Sequence, residues 1–156
     1  MLKQNPESLT PLIKELESYI AVKDKRNNAV SKSDIAWQID HSLKVLNLVS
    51  DSIINSNPEE YKWCFNKWRL LFFTLGYIPR GKGRAPKIVK PPEVISLDDL
   101  KAQMLLAYKN VEGLKPLHKN ANFTHFIFGQ LNNDKTIQFL KLHTNHHLKI
   151  IRDILK

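Results

Sequence analysis

The chain has 156 residues, and 24 Lys+Arg against 15 Asp+Glu leave a formal net charge of +9. With 42% hydrophobic and 25% charged residues the composition is globular, which excludes a disordered chain. The single cysteine, Cys64, excludes a disulfide framework and a multi-cysteine zinc knuckle. The longest apolar stretch, 70–73 and its continuation to Ile78, is far shorter than the ~20 residues of a membrane span. Residues 1–6 carry no apolar signal segment. The expectation is a single helical domain over 1–156, cytoplasmic, with no membrane partner.

In chain order, the periodicity reads as helix almost throughout, with no run of alternating strand pattern. A first helix begins near Ser8 or Thr10, with Pro11 in its first turn, and places Leu9, Leu12, Ile13, Leu16 and Ile20 on one stripe. The polar segment 23–28 ends it. Ser33 caps a second helix that runs to about Ser56. Asn57, Pro58, Glu59 and Glu60 have the order of a cap, a first-turn proline and dipole-favourable acids, so a third helix is expected from there to Gly76. Its face of Tyr61, Cys64, Phe65, Trp68, Leu71, Phe72 and Leu75 reads as a buried helix, with Cys64 a packed thiol. The alternative is an exposed strip that pairs two copies as a homodimer.

The segment 79–92 concentrates Arg80, Lys82, Arg84, Lys87 and Lys90 without an acid, among prolines and glycines that forbid a basic recognition helix. It also lacks the spacing of a phosphate-binding loop. Two readings stand: a solvated crossover, or an anion contact through Arg80, Lys82 or Arg84. Ser96 then caps a fourth helix ending near Gly113, a loop spans 114–131, and Asn132 or Asn133 caps a last helix that reaches the C-terminus.

Three of the six histidines fall within Lys141-Leu142-His143-Thr144-Asn145-His146-His147-Leu148. At about 100° per residue, His143 and His147 lie one turn apart in the middle of the apolar face. His146 diverges from His147 by roughly 100° and is not expected to join them. On the second helix His41 shares a face with Trp37, Val45 and Leu48, with Gln38 and Ser52 as its polar exceptions, whereas Asp40, Lys44, Asn47 and Asp51 form a solvent strip. Inward imidazoles at i and i+4, with a third from another helix, can share one metal ion. Alternatively each is satisfied separately by hydrogen bonds.

The pieces Ala36-Trp37-Gln38-Ile39-Asp40-His41-Ser42-Leu43, Pro79-Arg80-Gly81-Lys82, His125-Phe126-Ile127-Phe128-Gly129-Gln130-Leu131 and His143-Thr144-Asn145-His146-His147 together resemble a bacterial branch of the DinB/YfiT-like superfamily of metal-binding helical bundles. Phe126 stands where that branch often has a proline. The resemblance implies an all-α, up-down-down-up four-helix bundle in which residues 58–76 and the basic loop belong to the long crossover and 97–111 to the third bundle helix. It also implies that His41, His143 and His147 are the ligands of a divalent metal.

Three neutral imidazoles suit Zn²⁺ or Ni²⁺ and leave a position open to water or a small-molecule substrate. Thr144 stands where a zincin carries its general-base glutamate, so the pattern is not a zincin. By resemblance the leading chemistry is transfer onto or from a low-molecular-weight thiol, and hydrolysis is second. A non-catalytic metal-binding or stress-response module is a further class, and a basic nucleic-acid-binding bundle, suggested only by the charge, is the weakest. The pocket is expected to be lined from Gln38, Ser52, His125, Phe126 and Phe128.

Overall fold

A computed structural model describes residues 4–81 and 86–156. Among these are five α-helices: α1 (Thr10–Ser18), α2 (Ile35–Ile54), α3 (Lys67–Leu75), α4 (Leu97–Leu114) and α5 (Asn133–Ile154). A hairpin of β1 (Asn122–His125) and β2 (Gly129–Asn132) precedes α5. The fold is thus mostly helical. Side-chain caps start four of the helices, each accepting from a backbone N–H three residues on: Asp34 from Trp37, Asn66 from Arg69, Ser96 from Asp99 and Asn132 from Lys135. The cap of α2 is Asp34 and not Ser33, whose own N–H is held by the Ser31 hydroxyl at 3.1 Å.

α2 packs on α4 and α5, and α1 packs on the same two helices, so four helices enclose one core. Ile39, Leu43, Leu46 and Ile53 of α2 meet Leu100, Met104 and Ala107 of α4 and Leu140, Leu148 and Ile151 of α5, with Leu9, Ile13 and Leu16 closing one side. Each fully buried aliphatic side chain stabilises the fold by roughly 1.5–3 kcal/mol relative to exposure.

Four expectations need correction. First, the Asp40–Asn47 side of α2 is not a solvent strip: both residues are buried under α4. Gln103 donates to Asp40 at 2.7 Å, Asn47 donates to the Gln103 carbonyl at 3.0 Å, and Asn110 donates to Asn47 at 3.0 Å. A polar ladder replaces solvent because buried polar groups must find partners. Second, α1 ends at Ser18 and the chain continues as a short 3-10 turn, Ile20–Val22.

Third, the helix expected over 58–76 is broken into a 3-10 turn, Pro58–Glu60, an irregular stretch and the short α3, which stops at Gly76 with φ 61°. Hydrogen bonds from the hairpin take the place of helical ones. The Lys62 N–H donates to Gln130 at 2.7 Å, Gln130 donates to the Glu60 carbonyl at 3.2 Å, and buried Arg69 donates to the carbonyls of Cys64, Phe128 and Gln130. The apolar side chains of this segment are consequently not a buried face: Trp63 and Phe65 are 71% and 63% exposed, and Cys64 is exposed as well.

Fourth, the expected loop over 114–131 contains the antiparallel hairpin, with Asn122 opposite Asn132 and His125 opposite Gly129. Four-residue strands are too short to show alternation. The turn between them is closed by a side chain, as His125 Nδ1 accepts from the N–H groups of Ile127 at 3.1 Å and Phe128 at 3.3 Å. Gly129 leaves that turn with φ 68°, a conformation L-residues with a Cβ disfavour.

Candidate metal centre

Packing α2 against α5 brings His41 to His143 and His147. The ring centroids lie 5.1 Å (His41–His143), 4.8 Å (His41–His147) and 4.6 Å (His143–His147) apart. One nitrogen from each ring falls within 4.8 Å of one from every other, and among the described residues no carboxylate or thiol joins the group. The three histidines therefore lie together and could hold a metal ion. Trp37, one turn before His41, stacks on that ring at 4.9 Å.

The outward nitrogens show how two rings are oriented. His41 Nδ1 lies 2.9 Å from the carbonyl oxygen of Val89, which the 3-10 turn Lys87–Val89 delivers. His147 Nδ1 lies 2.7 Å from Gln38 Oε1. The Gln38 amide is itself oriented, because its Nε2 donates to the Ser31 hydroxyl at 3.3 Å. Both partners of the rings are acceptors, so each ring donates from Nδ1 and keeps the lone pair of Nε2 free. His143 differs: its Nδ1 is buried with no hydrogen-bond partner, an unsatisfied polar atom that coordination through that nitrogen would satisfy.

Electrostatics favour the ligand form. Burial pushes His143 and His147 well below the ordinary histidine range, with repulsion from their neighbouring imidazoles adding to it. Burial also lowers His41, against partial opposition from the Val89 carbonyl. All three rings are neutral near pH 7, as a divalent ion requires of its imidazole ligands. Neutral nitrogen donors without carboxylates fit a borderline transition ion better than Mg²⁺ or Ca²⁺.

Compared with family models, curated proteins and solved structures, the chain matches none. The meaning of the site rests on its own geometry.

The cluster opens into a cavity of about 250 Å³. His125, Phe126 and Phe128 line it, from the hairpin, and so does His146. His125 stacks on Phe128 at 4.6 Å and meets Phe139 at 4.7 Å, which in turn lies 5.7 Å from His143. Burial lowers the pKa of both His125 and His146 to about 4. His146 borders the pocket without being one of the three clustered histidines.

Other expected site residues lie elsewhere. Ser52 is exposed and does not line the cavity, whose α2 wall ends at Leu48 and Val49, one turn earlier. Gln38 is buried behind His147 and acts on the ring, not on the cavity. Arg80 is turned to Asp153, with which it pairs at 2.7 Å and which it shares with Lys156, and it is not among the residues lining the cavity. Lys82 and Arg84 fall outside the described residues. Ile78, Ile88 and Phe139 line the cavity and were missed. Phe139 had a signal, standing four residues before His143; the Val89 carbonyl had none, since a backbone acceptor leaves no trace in side-chain pattern.

Proposed function

We propose that the chain is a divalent-metal-dependent enzyme of the DinB/YfiT-like kind, with His41, His143 and His147 as metal ligands. The observation that carries this is a three-histidine cluster, two of whose rings are oriented by acceptors behind them, facing a cavity instead of sealed protein. A structural zinc site is closed by four protein ligands, whereas three ligands beside a cavity leave room for a reactant. A bound Zn²⁺ or Ni²⁺ supplies a Lewis acid that activates a thiol or polarises an electrophile. The protein's part is to hold the rings by Val89 and Gln38, to exclude water with Trp37, Phe128 and Phe139, and to keep every imidazole neutral.

By the resemblance of its four motifs, the reaction is transfer involving a low-molecular-weight thiol. A second reading, hydrolysis, draws on His125 and His146, two further neutral imidazoles on the cavity wall, each a weak base with its pKa lowered to about 4. The test is turnover of a panel of thiol–electrophile pairs and esters by protein stripped with chelator and reloaded with Zn²⁺ or Ni²⁺. Activity lost on stripping and restored by the ion is the expected result. Folding lost on stripping, with no turnover at any loading, would make the ion purely structural. Binding to nucleic acid that falls steeply with salt would instead support the basic-bundle reading.

A further inference from the structure

The cavity beside the histidines has a uniform chemistry. Among its described lining residues, the only side chains bearing nitrogen or oxygen are five histidines and Trp37. No carboxylate, lysine, arginine, hydroxyl or amide side chain is among them, although the chain as a whole carries 39 Lys, Arg, Asp and Glu (24 + 15). Arg80 lies between two lining residues, Pro79 and Gly81, and its guanidinium pairs with Asp153 outside the lining, although its charge still contributes to lowering the pKa of His146. The walls are instead aromatic and aliphatic, with Phe126 and Phe128 from the hairpin, Phe139 from α5 and Ile88 from the crossover turn.

Away from the histidines such a lining offers an anionic or strongly polar molecule no partner to replace its water, and a buried polar group without a partner is disfavoured. It does accept an apolar body, and pockets of this make-up fix orientation through a few polar groups at one end. Here that end is the histidine cluster. Scaled from an apolar cavity of about 150 Å³ that holds benzene, the observed space fits about ten non-hydrogen atoms.

We infer that the cavity takes a small, neutral, largely aromatic substrate of about ten non-hydrogen atoms, with its reactive end at the histidine cluster and its body against Phe126, Phe128, Phe139 and Ile88. The inference rests on the metal-site reading for the substrate's orientation, but the selectivity of the walls does not. In a thiol-dependent transfer this molecule is the apolar reactant.

The walls are tested on the metal-free full chain by saturation-transfer NMR with toluene and benzenesulfonate, which share a ring and differ in charge. Toluene is expected to bind at least tenfold more tightly. Phe126→Ser and Ile88→Ser change residues that are 70% and 71% exposed, so the core is untouched, and each is expected to weaken toluene three- to tenfold. Trp63→Ser, on an exposed aromatic residue away from the cavity, should leave toluene binding unchanged. Equal or tighter benzenesulfonate binding would overturn the inference. So would toluene binding lost in the Trp63 variant and kept in the Phe126 variant. Titration with Co²⁺ reads the metal site separately through its visible absorption. Selective toluene binding without cobalt bands would sustain the inference about the walls and count against the metal-site reading.

Discussion

An imidazole is a dependable ligand when its second nitrogen is held, and Gln38 performs that service for His147 as the Val89 carbonyl does for His41. Gln38→Leu keeps the volume and removes the acceptor, so zinc affinity is expected to fall about 10–100-fold while the fold persists. Ser52→Ala, at an exposed position on the same helix, should leave zinc affinity unchanged; competition with a chromophoric chelator reads both. The pH response follows from the same burial. The triad histidines have folded pKa values depressed by burial, so the unfolded chain takes up protons below about pH 6.5 while the folded chain stays neutral. Stability is therefore complete above that pH and declines as pH falls; for His125 and His146 the window runs down to about 4. Urea unfolding of metal-free protein should show a lower midpoint at pH 5.5 than at pH 7, on the order of 1 kcal/mol for each of His143 and His147, with His41 adding in the same direction. An unchanged midpoint would mean that these rings are not neutral in the fold.

At the scale of elements, the connection between α2 and α4 departs most from its sequence pattern. Arg69 is buried and donates to three carbonyls, fastening the 61–66 stretch and the hairpin to α3. Arg69→Met should destabilise the protein by about 1.5–3 kcal/mol, as expected for hydrogen bonds from a charged group, with hydrogen exchange rising first in β2. The long helices were legible because their caps and apolar periods agree: Ser96 and Asn132 cap α4 and α5 as read, and α2 starts one residue later than read. The inward direction of His41, His143 and His147 was legible for the same reason. What escaped was held by long-range polar contacts. Residues 61–66 carry a helix-compatible apolar pattern, yet their partners lie some 60–70 residues away on the hairpin, as the Lys62–Gln130 separation of 68 shows. The burial of Asp40 and Asn47 likewise depends on Gln103 and Asn110 of α4, which no local window contains.

For the molecule as a whole, most of the apolar core lies away from the histidine cavity, although Val45, Val49, Val89, Phe128 and Phe139 belong to both. Ile13, Leu43, Leu46, Leu100, Leu114 and Ile151 are fully or almost fully buried, and none belongs to the cavity lining. No helix among the described residues is long and apolar enough to cross a membrane. A chain of this size buries enough surface to fold without a metal. Chelation, or His143→Ala, should leave the far-ultraviolet circular dichroism within a few per cent of the untreated protein; wholesale loss of helix would contradict this. The central claim is that three histidines from two helices hold one ion. Anomalous diffraction across the transition-metal edges, on crystals of protein purified without a histidine tag, tests it most directly. The expected result is one peak bonded to a nitrogen of His41, His143 and His147 alike, at about 2.0–2.1 Å for zinc. A metal-soaked crystal with no peak there, or with any of the three rings turned away from it, would contradict the account.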